Sequence, residues 1–391
     1  MTSEVRSYQA AATDPYERGR ELGADNAAAV HEAYARYTEL WAAYGVTPDE
    51  VSEVGAAVLA PIEVFSPALR SEIAGIATGA RLEGWQVGAL NARTELMALG
   101  DRRLVAAGRL PGEVAECSTL VRLPRAGAPL SAQTWDWHTP LADSWFVWTL
   151  RLPTGRQVCT LTEYGIVGKI GVASQITSGT SRHGVLGLHF NALRHRGDTG
   201  LGGVPVHVVA RRILDEAQTT EQATAIAAEA AVTASAALTV TARDEQSADW
   251  STCTLELHPG GPSVQPPSAG DGGCWLAHTN HFVAAGATGQ DMLGALSTTK
   301  ERLDRVDRLA ATAAATRAPV PAAPAPQDVA DQLATHDLGP RSVCVHGFPD
   351  APVGQRTATL AVAVAEPAAG RLHVHAGKPC EASQGTWWTG G

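Results

Sequence analysis

The hydrophobic pattern of this chain changes period near residue 117, and that change limits the folds open to it. From Asp14 to Leu99 apolar residues recur at helical spacing. "PYERGRELGADNAAAVHEAYARYTELWAAYG" is rich in Ala and Glu. "SPALRSEIAGIATGARL" opens with Ser66 as a cap and Pro67 in the first turn. "GWQVGALNARTELMALG" predicts a further helix. From Cys117 onward the runs shorten: "STLVRLP", "LSAQTWDW", "WFVWTLRLP", "QVCTLTEYG", "IGVAS" and "VLGLHFNAL" predict strands bounded by Gly, Pro or Asp. Helices return at "PVHVVARRILDEA" and "TEQATAIAAEAAV", and strands at "ALTVTAR", "STCTLELHP" and "GCWLAHTNHF". A helix at "TTKERLDRVDRLAATAAATR" is followed by a spacer, "APVPAAPAPQ", and a terminal hairpin, "RTATLAVAVAEPAAGRLHVHAGKP". There is no internal repeat. Elements in blocks predict an α+β layered architecture rather than an alternating parallel sheet.

With 391 residues, 45% of them hydrophobic, the chain can bury a sizeable core. Its net charge of −10 and the lack of any Lys/Arg run argue against a nucleic-acid partner. The N-terminus has no basic start leading into an apolar run, and no apolar stretch is long enough to span a bilayer. The expectation is a cytoplasmic protein with no membrane partner. The six cysteines are scattered and contain no C-x-x-C pair, so they are expected to be reduced thiols, mostly small buried hydrophobes. His278 and His281 lack the spacing of H-E-x-x-H, and no metal or cofactor is expected. "HVH", His373–His375, reads as an exposed strand face. Trp135, Trp145 and Trp148 are expected in the core, with Trp137 a candidate to line a substrate pocket.

Cys117 stands at the junction of the two textures. As a nucleophile it needs a base to make the thiolate. One solution is an imidazole, for which neighbouring His138 is the candidate. Another is that Cys117 becomes the first residue of a new chain, so that its own α-amine, titrating near pH 8, serves as the base. That requires scission between Glu116 and Cys117, which the same thiol performs by attacking the preceding carbonyl.

"ECSTL", "TWDW", "TEYGIVGKIG", "HFNALR", "HTNHF" and "RTATL", in that order, resemble the acyl-coenzyme A:6-aminopenicillanate acyltransferase family, the peptidase C45 group of N-terminal-nucleophile hydrolases. "EIAGIATGARLEGWQVGALNARTEL" is similar to the family's propeptide. The resemblance implies a four-layer αββα sandwich. Residues 1–116 would form a helical propeptide, and residues 117–391 a chain that starts with the nucleophile. It also implies Cys117 as nucleophile, Asp136 as organiser of processing and catalysis, and Asn280 as oxyanion donor. Arg356 corresponds to an arginine near the family's site. Asn191, Tyr164, Trp137 and His138 are the remaining candidates for contact with substrate.

The family has Gly immediately before the nucleophile; this chain has Glu116. Glycine tolerates strained backbone, so the change leaves the efficiency of self-cleavage open. Three readings stand at this point. The first is a self-processing amidase or acyltransferase acting on N-acyl or aminoacyl amides of small molecules, in specialised metabolism, its two chains staying associated. The second is a silent, unprocessed relative that binds rather than reacts. The third is a Cys-His hydrolase. No basic cluster or Gly-rich loop marks a coenzyme A site, which favours hydrolysis over transfer. Homo-oligomerisation is left open.

Overall fold

Helix starts in the first hundred residues follow local rules. Asp14, Thr47 and Ser66 each accept a hydrogen bond from the backbone N–H three residues on, and each is followed by proline. The computed structural model describes residues 4–108, 116–125, 127–176, 182–243, 249–315 and 325–391. In it the helices run Pro15–Asp25, Ala27–Ala43, Pro48–Ala57, Leu59–Phe65, Pro67–Ala80, Gly84–Asn91 and Arg93–Ala106. The single helix expected from "GWQVGALNARTELMALG" is two. At the break, the Asn91 side chain donates to Val87 O and Gly165 O and accepts from Val167 N, tying the helix end to a loop between strands. Most of the Pro/Ala spacer lies outside the described residues; helix Pro326–Leu333 starts at its end.

The helices Pro15–Asp25 and Pro67–Ala80 cross at backbone contact. Both carry Gly-x-x-x-Gly, which places two glycines on one helix face. A Cβ built on Gly19 would lie 2.1 Å from Glu72 O, and one on Gly75 2.1 Å from Tyr16 O. Gly75→Val is therefore expected to cost about 3 kcal/mol or more, the upper range for overpacking. Denaturant titration checks this, and an unchanged midpoint would contradict it.

Two sheets follow. The eight-stranded sheet runs, in spatial order, Ser7–Gln9, Trp145–Arg151, Arg156–Glu163, Ile170–Ile176, Arg182–Ala192, Ala236–Arg243, Trp250–Leu257 and Ser263–Gln265. The seven-stranded sheet runs Ser268–Gly270, Gly273–His278, Ser118–Pro124, Leu130–His138, Thr357–Glu366, Arg371–Ala376 and Trp387–Gly390. Pairing is antiparallel throughout, apart from the first short strand, which is parallel to Trp145–Arg151. The "HVH" strand is not exposed: His373 and His375 are buried, the strand being covered on its edge by Trp387–Gly390, with the His375 ring 5.6 Å from that of Trp387.

The two sheets face each other. His189 meets Ser131 Oγ at 2.8 Å, Phe190 N donates to Gln133 Oε1, and Thr119 donates to Asn191. The period-2 rule sorts the rest. Ala361, Ala363 and Ala365 turn to the facing sheet, while Val362 and Val364 turn outward onto Val306 and Ala310 of helix Thr299–Ala315 and Val329 and Leu333 of helix Pro326–Leu333. Helices Val206–Glu216 and Thr220–Glu229 cover the eight-stranded sheet. The N-terminal helices join that layer through a buried ion network in which Glu72 binds both Arg18 and Arg211. The result is the expected αββα sandwich. One continuous core extends from Val5 to Ala376, so residues 4–108 share their apolar interior with the sheets.

Candidate active site

Cys117 is buried immediately before strand Ser118–Pro124, and Ser118 pairs with Thr134 on the neighbouring strand. That register brings the Cys117 thiol against Asp136, whose backbone oxygen it approaches at 3.6 Å. Burial pushes the thiol up to about 12, and the Asp136 carboxyl adds to the rise; Lys169 and Arg302 oppose it. In the intact chain the sulfur is therefore protonated, and nucleophilic attack needs a base.

Asp136 is the buried carboxyl beside it. Its Oδ1 accepts from Thr359 Oγ1 at 2.6 Å, and Oδ2 has no partner among the described residues. The pairing depends on an irregularity. Thr359 pairs with Asp136, but the register slips between Thr359 and Ala361, so Ala361 pairs with Trp135. This β-bulge lets Thr359 share a face with Asp136 while Ala361 faces the other sheet. Burial pushes the Asp136 carboxyl up to about 8, with Thr359 and Arg302 pulling against the shift.

The residue that draws the site together is one the sequence reading missed, Arg302. Fully buried on helix Thr299–Ala315, its Nη1 donates to Glu116 O at 3.3 Å, Cys117 O at 2.9 Å and Ser118 Oγ at 2.9 Å. Its Nη2 donates to Asn280 Oδ1 at 3.2 Å and pairs with the Glu116 carboxylate at 3.0 Å. The available signal was an arginine on the inward face of "TTKERLDRVDR", where a buried guanidinium demands several acceptors.

Glu116 is held by its side chain. Its carboxylate accepts from Ser297 Oγ, from Thr298 N and Thr298 Oγ1 at 3.2 Å each, and from Arg302. It sits against the N-terminus of helix Thr299–Ala315, where an anion is favoured. Among the described non-glycine residues only Arg81 has a positive φ, so Glu116 occupies no conformation reserved for glycine. Side-chain anchoring stands here in place of backbone freedom.

Asn280 follows strand Gly273–His278. Its backbone N–H donates to Thr299 Oγ1 and its Nδ2 to Ala192 O, both at 2.8 Å, while Arg302 fixes Oδ1 as the acceptor. A cavity bordered by Glu116, Asn280, Leu193, Leu293 and Ser297 lies beside it. A second cavity shares the wall Ala192–Arg194 and Met292 and reaches Thr94, Met97 and Trp137.

The other candidates separate. Asn191 belongs to the site but works from behind it: it accepts from Thr119 Oγ1 at 2.7 Å and donates to Cys117 O at 3.2 Å. Trp137 borders the second cavity, its indole N–H donating to Tyr37 OH at 3.0 Å. His138 is buried with neither ring nitrogen partnered among the described residues, and burial drives it down to about 3. No described bond links the ring to the Cys117 thiol, and the lowered pKa makes it a weak base, which speaks against the Cys-His reading. Tyr164 stacks on Phe146, ring centroids 4.4 Å apart, and no described bond links it to Cys117, Asp136 or Asn280. Arg356 bonds back to Ala351 O within its own loop, so the arginine at this site is Arg302. Lys169, also unforeseen, lies 3.5 Å above the Trp135 ring and 3.4 Å from Glu163, and burial lowers it to about 7.

His278 and His281 take unrelated partners, Glu256 at 2.9 Å and Thr299 Oγ1 at 3.0 Å. All six cysteines are free thiols, as the sequence reading expects, and four are buried. Two of them are close together, with Cys344 Sγ 3.6 Å from Cys380 Sγ in the described group of metal-type ligands that also holds His336 and His346.

A family model described as acyl-coenzyme A:6-aminopenicillanic acid acyl-transferase matches residues 124–381, more than half of the chain. The matched segment contains Asp136, Asn191, Asn280 and Arg302; Cys117 lies just ahead of it. No curated protein matches the chain.

Proposed function

The chain belongs to the acyl-coenzyme A:6-aminopenicillanic acid acyl-transferase family, and from that premise we propose that it is a self-processing cysteine amidohydrolase. The observation that carries the reading is the buried Glu116–Cys117 peptide, with Arg302 donating to the Glu116 carbonyl oxygen beside the Cys117 thiol. In processing, Asp136 takes the thiol proton and Sγ attacks the Glu116 carbonyl carbon. Arg302 supports the oxyanion. The C–N bond breaks, and the proton passes to the new α-amine. Water then resolves the thioester, leaving a Glu116 carboxylate and a free N-terminal Cys117.

In turnover the α-amine replaces Asp136 as base. The thiolate attacks an amide carbonyl, Asn280 and Arg302 support the oxyanion, the amine leaves with the returned proton, and water releases the acid. The second cavity, walled by Thr94, Met97 and Trp137, suits the departing amine. Its one cationic lining residue, Arg194, is paired with Asp101 at 2.8 Å, so it offers little to the phosphates of coenzyme A. That favours an amide over acyl-coenzyme A as the acyl donor, and water, which needs no second binding site, as the acceptor.

The acyl side follows from Glu116. A substrate acyl carbon must occupy the position of the Glu116 carbonyl, so its chain enters the cradle of Ser297, Thr298 and Arg302 that holds the Glu116 carboxylate. Acyl groups bearing a carboxylate, such as glutaryl or glutamyl amides, are therefore the expected class. Their kcat/KM should exceed that of neutral isosteres about tenfold or more, since a hydrogen bond to a charged group contributes roughly 1.5–3 kcal/mol. Equal rates for N-glutaryl and N-hexanoyl amides of one amine would contradict the acidic preference. The absence of any acyl-Cys117 thioester after acid quench, even in variants slowed at deacylation, would contradict the amidohydrolase reading itself.

A further inference from the structure

Away from Cys117, four side chains converge where the loop before strand Thr357–Glu366 meets the turn Pro379–Glu381. His336, Cys344 and His346 come from the loop, and Cys380 from the turn. Their ligand atoms all lie within 4.8 Å of one another. Cys344 Sγ to Cys380 Sγ is 3.6 Å, Cys344 Sγ to His346 Nε2 is 3.5 Å, Cys380 Sγ to His346 Nε2 is 3.6 Å, and His336 Nε2 to His346 Nε2 is 3.1 Å.

These spacings correspond to four of the six edges of a tetrahedron around a small cation, and the remaining two, from His336 to the sulfurs, are within 4.8 Å. With Zn–S of about 2.3 Å and Zn–N of about 2.0–2.1 Å, tetrahedral edges come to about 3.8 Å for S–S, about 3.5 Å for S–N and about 3.3 Å for N–N. The four separations fall within about 0.2 Å of those values. Without an ion, the arrangement gathers two thiols and two imidazoles that satisfy one another only weakly. We propose that His336, Cys344, His346 and Cys380 form a structural Zn²⁺ site. Two thiolates and two neutral imidazoles in tetrahedral array favour Zn²⁺ over harder cations, and four protein ligands leave no open position for chemistry. Binding converts two thiols to thiolates, so two protons are released per ion and no oxidant or reductant is needed.

The site has a bearing on the rest of the molecule. Val345, between two of the ligands, exchanges hydrogen bonds with Thr359: Val345 N donates to Thr359 Oγ1 at 3.0 Å and Thr359 N to Val345 O at 3.1 Å. Thr359 is the residue that holds Asp136. On the same loop, Arg341 O accepts from Thr298, which holds Glu116. The ion would pin one loop that backs both residues flanking Cys117, and the inference stands whether or not the chain cleaves itself.

The experiment uses the full-length chain, purified reduced and without chelator. Elemental analysis is expected to give one zinc per chain. After chelator treatment, CoCl₂ should produce the intense visible bands of tetrahedral thiolate-bound cobalt, with two protons released per ion to a pH indicator. Cys380→Ser, at an exposed position, should lose the sulfur-to-cobalt intensity and most of the bound zinc while keeping the wild-type far-ultraviolet circular dichroism. Cys344→Ser should do the same, and Cys253→Ser should change nothing. Zinc below about a tenth of an equivalent together with no cobalt spectrum from the reduced wild-type chain overturns the proposal. So does zinc content unchanged in both Cys344→Ser and Cys380→Ser.

Discussion

Asp136→Asn is expected to slow scission of the Glu116–Cys117 bond by about 10²–10⁴, the usual contribution of a positioned general base. The amide is isosteric and still accepts from Thr359 Oγ1, so the fold is retained while the proton acceptor is lost. The effect should be specific to pH. The Asp136 carboxyl is pushed up to about 8 by burial, so its ionised fraction increases from pH 6 to pH 9, and wild-type processing should accelerate over that range. The variant should lack that rise. A time course of freshly synthesised chain on a denaturing gel measures both. Unslowed scission in Asp136→Asn would assign the proton to another group, with Lys169, lowered to about 7, the next to examine.

Asn280→Ala should reduce kcat/KM by about 10²–10³, near 3 kcal/mol, as expected for loss of one oxyanion donor. The side chain is held at both ends, Nδ2 on Ala192 O and Oδ1 on Arg302, so its orientation is set before substrate arrives. The loss should fall on kcat more than on KM, since the developing charge exists only in the transition state. Arg302 continues to hold Glu116 and Cys117 in this variant, so processing should suffer less than turnover. Full kcat/KM on an acyl amide that the wild type cleaves would remove Asn280 from the oxyanion role.

How much of this was legible depended on the range of the interaction. Strand and helix blocks were, because periodicity and capping are local: Ser66 and Pro67 start a helix in sequence and in structure alike. The pair Cys117 and Asp136 was also accessible, as Cys117 immediately precedes one strand of a hairpin and Asp136 lies on the other. Arg302 was not, since only folding carries a helix nearly two hundred positions downstream onto Glu116, and "KERLDRVDR" reads first as a solvated face. Arg356 was assigned the role from resemblance, yet its side chain turns back on Ala351. His373 and His375 looked exposed because the final strand that covers their edge is only four residues long. The metal-type cluster was hidden in the same way: Cys344 and His346 are neighbours, but Cys380 joins them only through the hairpin that returns it.

The central claim is that Cys117 ends as a chain N-terminus. Intact mass of the purified protein under denaturing, reducing conditions tests it directly. The wild type should give two species, residues 1–116 and 117–391, which co-elute before denaturation because they share one core. Cys117→Ala should give one species of 391 residues. A wild-type sample that hydrolyses amides while showing only the uncut 391-residue mass would contradict the account.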